Sequence, residues 1–139
     1  MYRRLIGLAL LAVVATITLV AQQPSRTIAP GNTVLLASYA CAPDQLARVD
    51  AIFNQSVAPI LNKHVASGKL LTWGFLATTL GGPANRHIYI WAADPIALLQ
   101  ARQVYLPEIM AAPQFMEYAK ACGPAVVTVN NLLAIAPTR

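Results

Sequence analysis

Residues 70–92, LLTWGFLATTLGGPANRHIYIWA, read as two strands joined by a turn. Leu70 to Thr79 is apolar, aromatic and β-branched, the composition of a strand. Gly81-Gly82-Pro83-Ala84-Asn85 is a cluster of turn formers. Arg86 to Ala92, RHIYIWA, alternates ring and aliphatic side chains with the period of a second strand. A hairpin in mid-chain constrains everything around it, so the flanks decide the fold.

Upstream lies a helix. Pro43 and Asp44 open it, since proline suits the first helical position and an acid suits the first turn. Leu46, Val49, Phe53, Val57, Ile60 and His64 recur at spacings of three and four, one face of a helix. Pro59 interrupts that face and is expected to kink or split the helix near Val57. Gly68 supplies a left-handed end. Downstream, Asp94-Pro95 starts a second helix that runs to about Tyr105. Pro107 and Pro113 are expected to break the stretch after Tyr105 into short helical pieces ending near Ala121.

Two further strands complete the chain. Thr33 to Ala40, TVLLASYA, precedes the first helix, and Ala125 to Ile135, AVVTVNNLLAI, comes after the Gly123-Pro124 turn. The order is β-α-β-β-α-β, the split βαβ arrangement of one antiparallel sheet with both helices on one side. In that arrangement the last strand lies antiparallel beside the first. The end of strand one then meets the start of strand four. Cys41 ends the one and Cys122 precedes the other, and these are the chain's two cysteines. A Cys41–Cys122 disulfide is therefore the expectation, with two buried free thiols as the alternative. No motif surrounds either cysteine that would make it a nucleophile.

A disulfide implies an oxidising compartment, and the N-terminus agrees. Arg3 and Arg4 precede an uncharged apolar run, Leu5 to Ala21, and then Gln22-Gln23-Pro24-Ser25. This has the parts of a secretory signal peptide, with Ala21 as its last residue. The expected organisation is a signal peptide at 1–21, an extended N-terminal segment at 22–32 and one α+β domain at 33–139. The expected location is periplasmic or secreted. Any membrane attachment would run through an uncleaved signal segment.

The 139 residues are 57% hydrophobic and 11% charged, with a net charge of +5. Without Arg3 and Arg4, eight Lys/Arg face five Asp/Glu, and the charges are scattered. Such mild, dispersed basicity gives no reason to expect a nucleic-acid partner. No phosphate loop, dinucleotide fingerprint or Gly-x-Ser-x-Gly elbow is present. The five acids form no pair with catalytic spacing, and two histidines make a weak metal site. The reading therefore expects no cofactor and no metal, and it leaves open whether the protein is an enzyme.

Strand three carries the residues of most chemical interest. Ile88 and Ile90 share one face, and His87, Tyr89 and Trp91 the other. The isoleucines belong under the helices. The opposite face presents rings with polar tips, which suit a second apolar environment with hydrogen-bond partners. Strand two adds Trp73 and Phe75 on one face and Thr72, Leu76 and Thr78 on the other, with Gly74 leaving room between them. His64, near the end of the first helix, is a polar residue by the cap or a group reaching the cavity. The candidate ligand-binding residues are thus His87, Tyr89, Trp91, Trp73, Thr72 and His64. Two readings stay open: the rings fill a dimer interface, or they line a cavity for a small apolar or aromatic molecule.

Between Thr33 and Ala136 the chain resembles the dimeric α/β-barrel superfamily, whose subunits are ferredoxin-like. The likeness rests on element order, on Ala58-Pro59-Ile60-Leu61, on Gly68-Lys69-Leu70, on Trp73-Gly74 and on the aromatic third strand. That group includes the antibiotic-biosynthesis monooxygenase type, the EthD type and many small secreted proteins. The resemblance implies a homodimer paired sheet to sheet. It implies a ligand held inside the barrel or between sheet and helices. It carries no catalytic residue onto this sequence. Physics supports the pairing independently, because a bare face of Trp, Tyr and Leu is unusual on a monomer. The reading is an exported dimeric α/β-barrel protein that binds a small hydrophobic or aromatic molecule in a sheet-face cavity. The alternative is a non-catalytic dimerisation or interaction module of the cell envelope. Haem or metal binding through His64 or His87 is a third, weaker reading.

Overall fold

The computed structural model describes residues 27–79 and 85–133. The signal-peptide expectation at 1–21, the lead-in up to residue 26, the hairpin turn at 81–84 and residues 134–135 of the fourth strand lie outside the described residues.

Four strands form one antiparallel sheet: β1 (Thr33–Ala40), β2 (Thr72–Ala77), β3 (Asn85–Ala92) and β4 (Val126–Asn131). Their spatial order is β2-β3-β1-β4. The hairpin of β2 and β3 therefore sits on one side of β1, and β4 returns to the other. This is the ferredoxin-like α+β topology. The ladder runs beyond both ends of β2, where Leu71 N–H bonds the Trp91 carbonyl and Thr78 N–H bonds that of Asn85.

Helices cover one face. A 3-10 turn (Pro43–Gln45) leads into α1 (Leu46–Ile52). A π-helical turn, Phe53–Val57, joins α1 to α2 (Ala58–Ala66). The expected interruption at Pro59 takes this form. Pro59 has no N–H to offer the Gln55 carbonyl, and a widened turn absorbs the mismatch without separating the two helices. Gly68, at φ +80°, ends α2, and the N–H groups of Lys69 and Leu70 both bond the His64 carbonyl.

α3 (Pro95–Met110) starts as expected, with the Asp94 carboxylate accepting from Ala97 N–H at 2.9 Å. It does not stop at Pro107, which lies inside the helix. Pro107 and Gln103 are both exposed, so the Gln103 carbonyl that loses its donor faces water. Tyr105 and Ile109, buried at 3% and 8% exposure, anchor the opposite side and carry the helix through. α4 (Phe115–Cys122) comes next.

The core lies between helices and sheet. Leu35, Ala37, Ile88 and Ile90 project from β1 and β3 onto Ile52, Phe53, Leu61 and Leu98. Ile52 and Phe53 are fully buried, each contributing roughly 1.5–3 kcal/mol of transfer free energy. Phe75 of β2 stacks flat on Phe53, ring centroids 3.8 Å apart. β4 is exposed along its whole length.

β1 and β4 pair antiparallel from Thr33↔Asn131 to Ser38↔Val126. This brings Cys41, just past β1, to Cys122, and the two form a disulfide. Cys122 is the last residue of α4 and not part of a strand end. Ala42 N–H bonds the Ala121 carbonyl beside it at 2.9 Å. The lead-in is also tied down where described: Gly31 N–H bonds the Leu132 carbonyl, and Asn32 Nδ2 donates to the Ala93 carbonyl. No described helix is long and apolar enough to cross a membrane.

Candidate functional site

The sheet has two faces with different chemistry. On the face away from the helices, β3 presents His87, Tyr89 and Trp91. The register sets Ser38 opposite His87 on β1, and Thr72 opposite Trp91 on β2. His87 is held on both sides. Its Nδ1 lies 2.9 Å from Ser38 Oγ and its Nε2 lies 3.0 Å from Thr78 Oγ1. Which hydroxyl donates to the ring and which accepts from it depends on the tautomer. The ring is therefore satisfied across three strands. A Cβ at Gly74, opposite Tyr89, would meet no atom within 4 Å, so the room expected beside the rings is present.

Trp73 does not join this face. It pairs with Ile90, which points under the helices. Its ring meets Phe53 edge-on at 5.6 Å, and its Nε1 donates to Asn62 Oδ1 at 2.9 Å. His64 is also on the helix side, 2% exposed. Its Nε2 stands 3.5 Å from Glu108 Oε2, too far for a strong hydrogen bond, and its Nδ1 has no partner. Lys63 bonds the same carboxylate at 3.0 Å and is the main reason the Glu108 pKa is lowered. Of the sequence candidates, His87, Tyr89, Trp91 and Thr72 come together; Trp73 and His64 lie across the sheet from them. Among the described residues no three His, Cys, Asp or Glu side chains cluster as a metal site would need.

A cavity of about 90 Å³ lies on the helix side. Leu35, Ile88 and Ile90 form its floor, and Leu61 and Ile109 close it from above. Tyr39, Tyr105, Tyr118 and Arg102 supply its polar groups. Arg102 and Val127 are exposed, marking where the cavity opens towards the uncovered β4. Tyr118 meets Tyr39 edge-to-face at 5.3 Å. Its Oη is buried and has no hydrogen-bond partner. Burial raises the pKa of Tyr39, of Tyr118 and, to about 12, of Tyr105. At neutral pH all three are uncharged hydrogen-bond donors.

Sequence reading passed over this second group. Arg102, Tyr105, Leu106 and Ile109 fall at helical spacing along α3, and that periodicity was the available signal. Ser38 was hidden in an apolar strand, its importance visible only once the register sets it against His87.

No protein-family model and no curated protein matches the sequence. Solved structures do match in fold. A NIPSNAP family protein from Agrobacterium tumefaciens superposes with a TM-score of 0.62 at 12% identity, covering 81% of this chain and 96% of that one. An uncharacterised NIPSNAP domain protein from Burkholderia xenovorans gives 0.56 at 13% identity, over 76% and 99%. An EthD family protein from Bacillus halodurans gives 0.55 at 18% identity, over 73% and 99%. Likeness at these identities shows the fold, and the chain is structurally similar to proteins of the NIPSNAP and EthD families.

Proposed function

We propose that this is an exported protein that binds a small hydrophobic molecule and works as a homodimer paired through its open sheet faces. The helix-side cavity is the binding site in this reading. The observation that carries it is the Tyr118 hydroxyl, buried without a hydrogen-bond partner on a residue that lines the cavity. An unmet buried donor is costly, and a ligand oxygen is a natural remedy. His87, Tyr89, Trp91 and Thr72 go to the dimer interface. His87 supports that assignment, because its ring nitrogens are already engaged by Ser38 and Thr78. The disulfide fits an oxidising compartment.

Native mass spectrometry of protein taken from an oxidising compartment tests the reading in one spectrum. The expected result is a dimer carrying a small molecule, with each subunit two daltons lighter than its reduced form. A monomer that binds nothing would leave only the fold standing. A dimer that stays empty through a ligand screen favours the second reading, a non-catalytic interaction module, which the satisfied His87 also suits.

A further inference from the structure

Two polar groups around the helix-side cavity are unused, and they differ in kind. Tyr118 Oη, on a residue 2% exposed, has a proton to donate and nothing to receive it. Arg102 borders the same cavity from α3 and is exposed. Of the arginines among the described residues, Arg48 grips Glu117 and Arg86 grips Asp50, each through two nitrogens. Arg102 makes no hydrogen bond or ion pair with any described residue. A guanidinium stays charged at any ordinary pH and matches a carboxylate in shape.

The space between is apolar and small. At about 90 Å³ it is below the ~150 Å³ that encloses a benzene ring. A buried aromatic ligand is too large for it. A chain of about four carbons fits a hollow of this size.

We infer that the cavity takes a short-chain oxo- or hydroxy-carboxylic acid: its carboxylate sits on Arg102 at the mouth, its carbon chain lies between Ile88, Ile90 and Leu61, and its second oxygen accepts from Tyr118. This inference rests on the reading of the cavity as the binding site, and it gives the occupant a charged head on the short apolar chain that the hollow holds.

The test uses the oxidised mature protein, labelled for NMR, with amide shifts of Leu106, Phe115 and Val127 as the report. The probes are butyrate, 2-oxobutyrate, 4-hydroxybutyrate, the uncharged butanamide, and xenon. The expected order places at least one of the two oxygenated acids tightest, butyrate weaker, and butanamide at least tenfold weaker than butyrate. Arg102→Gln should bring butyrate down to the level of butanamide. Tyr118→Phe should erase the preference for the second oxygen and leave butyrate unchanged. Butanamide binding as well as butyrate would overturn the carboxylate, and no gain from either oxygenated acid would overturn the role of Tyr118. In both of those cases xenon entry would still uphold the cavity as a binding site. Exclusion of every probe, xenon included, would remove the inference and the site together.

Discussion

Cys41 and Cys122, 81 residues apart in sequence, are covalently joined where β1 gives way to the first helix and α4 gives way to β4. The bond closes a loop that holds the covering helices and the hairpin. In the chain-entropy account a loop of this length is worth about 4 kcal/mol, an upper figure. Replacing both cysteines with serine should therefore lower the unfolding free energy by up to about 4 kcal/mol. The fold should survive, since a domain of this size has its own apolar core. Urea unfolding monitored by circular dichroism checks this, and an unchanged midpoint would show that the cross-link contributes nothing.

Tyr118 lends itself to a second measurement. Its hydroxyl is buried without a partner, and such a group costs about 1–3 kcal/mol. In the unliganded protein, Tyr118→Phe should leave stability unchanged or raise it by up to that amount. Most core substitutions destabilise, so a gain here would be diagnostic. A loss of stability would mean that the hydroxyl is in fact satisfied, by water or by a bound molecule.

The sheet was the legible part of this protein, for a simple reason. Alternation along β3 separates Ile88 and Ile90 from His87, Tyr89 and Trp91 without any knowledge of neighbours. Element order then places β4 beside β1, which brings the cysteines together. Trp73 and Thr72 alternate along β2, and which of them shares a face with His87 depends on how β2 is registered against β3. A one-residue shift in that register flips every side chain, and the Gly81–Asn85 turn does not announce its own register. Pro107 misled for a related reason: a proline ends a helix only if the lost bond and the ring clash outweigh anchoring elsewhere. The cavity was least legible, because it arises from the docking of α3 and α4 over the sheet and no short stretch of sequence contains it.

The cavity tyrosines predict an alkaline limit to stability. Burial raises the pKa of Tyr39, Tyr105 and Tyr118 above the ordinary value of 10.0, that of Tyr105 to about 12. A raised folded-state pKa means that the native protein holds these protons more tightly than the unfolded chain. Their contribution is fully present below pH 10 and is lost as pH rises through the folded values. Stability should fall from pH 10 towards 12, and phenolate absorbance should grow with unfolding. Phenolate formation by all three tyrosines in the folded protein near pH 10 would contradict the burial described here.

The open sheet face supplies the last prediction. Tyr89 sits at its centre, between Leu36 on β1 and Gly74 on β2. In an isolated subunit this half-buried position would tolerate a charge, because the side chain can reach water. In a dimer packed through the same face, Tyr89→Lys would bury an unpaired ammonium, a cost of several kcal/mol. At about 3 kcal/mol the dimer would weaken roughly a hundredfold. The monomer's circular dichroism should be unchanged. His87→Gln is the matched control, since an amide can still bond Ser38 and Thr78, and it should leave the assembly largely intact. Sedimentation velocity across micromolar concentrations separates the two variants. Equal behaviour of Tyr89→Lys and the parent protein would mean that the subunits do not meet through this face, and the rings of β3 would then need another purpose.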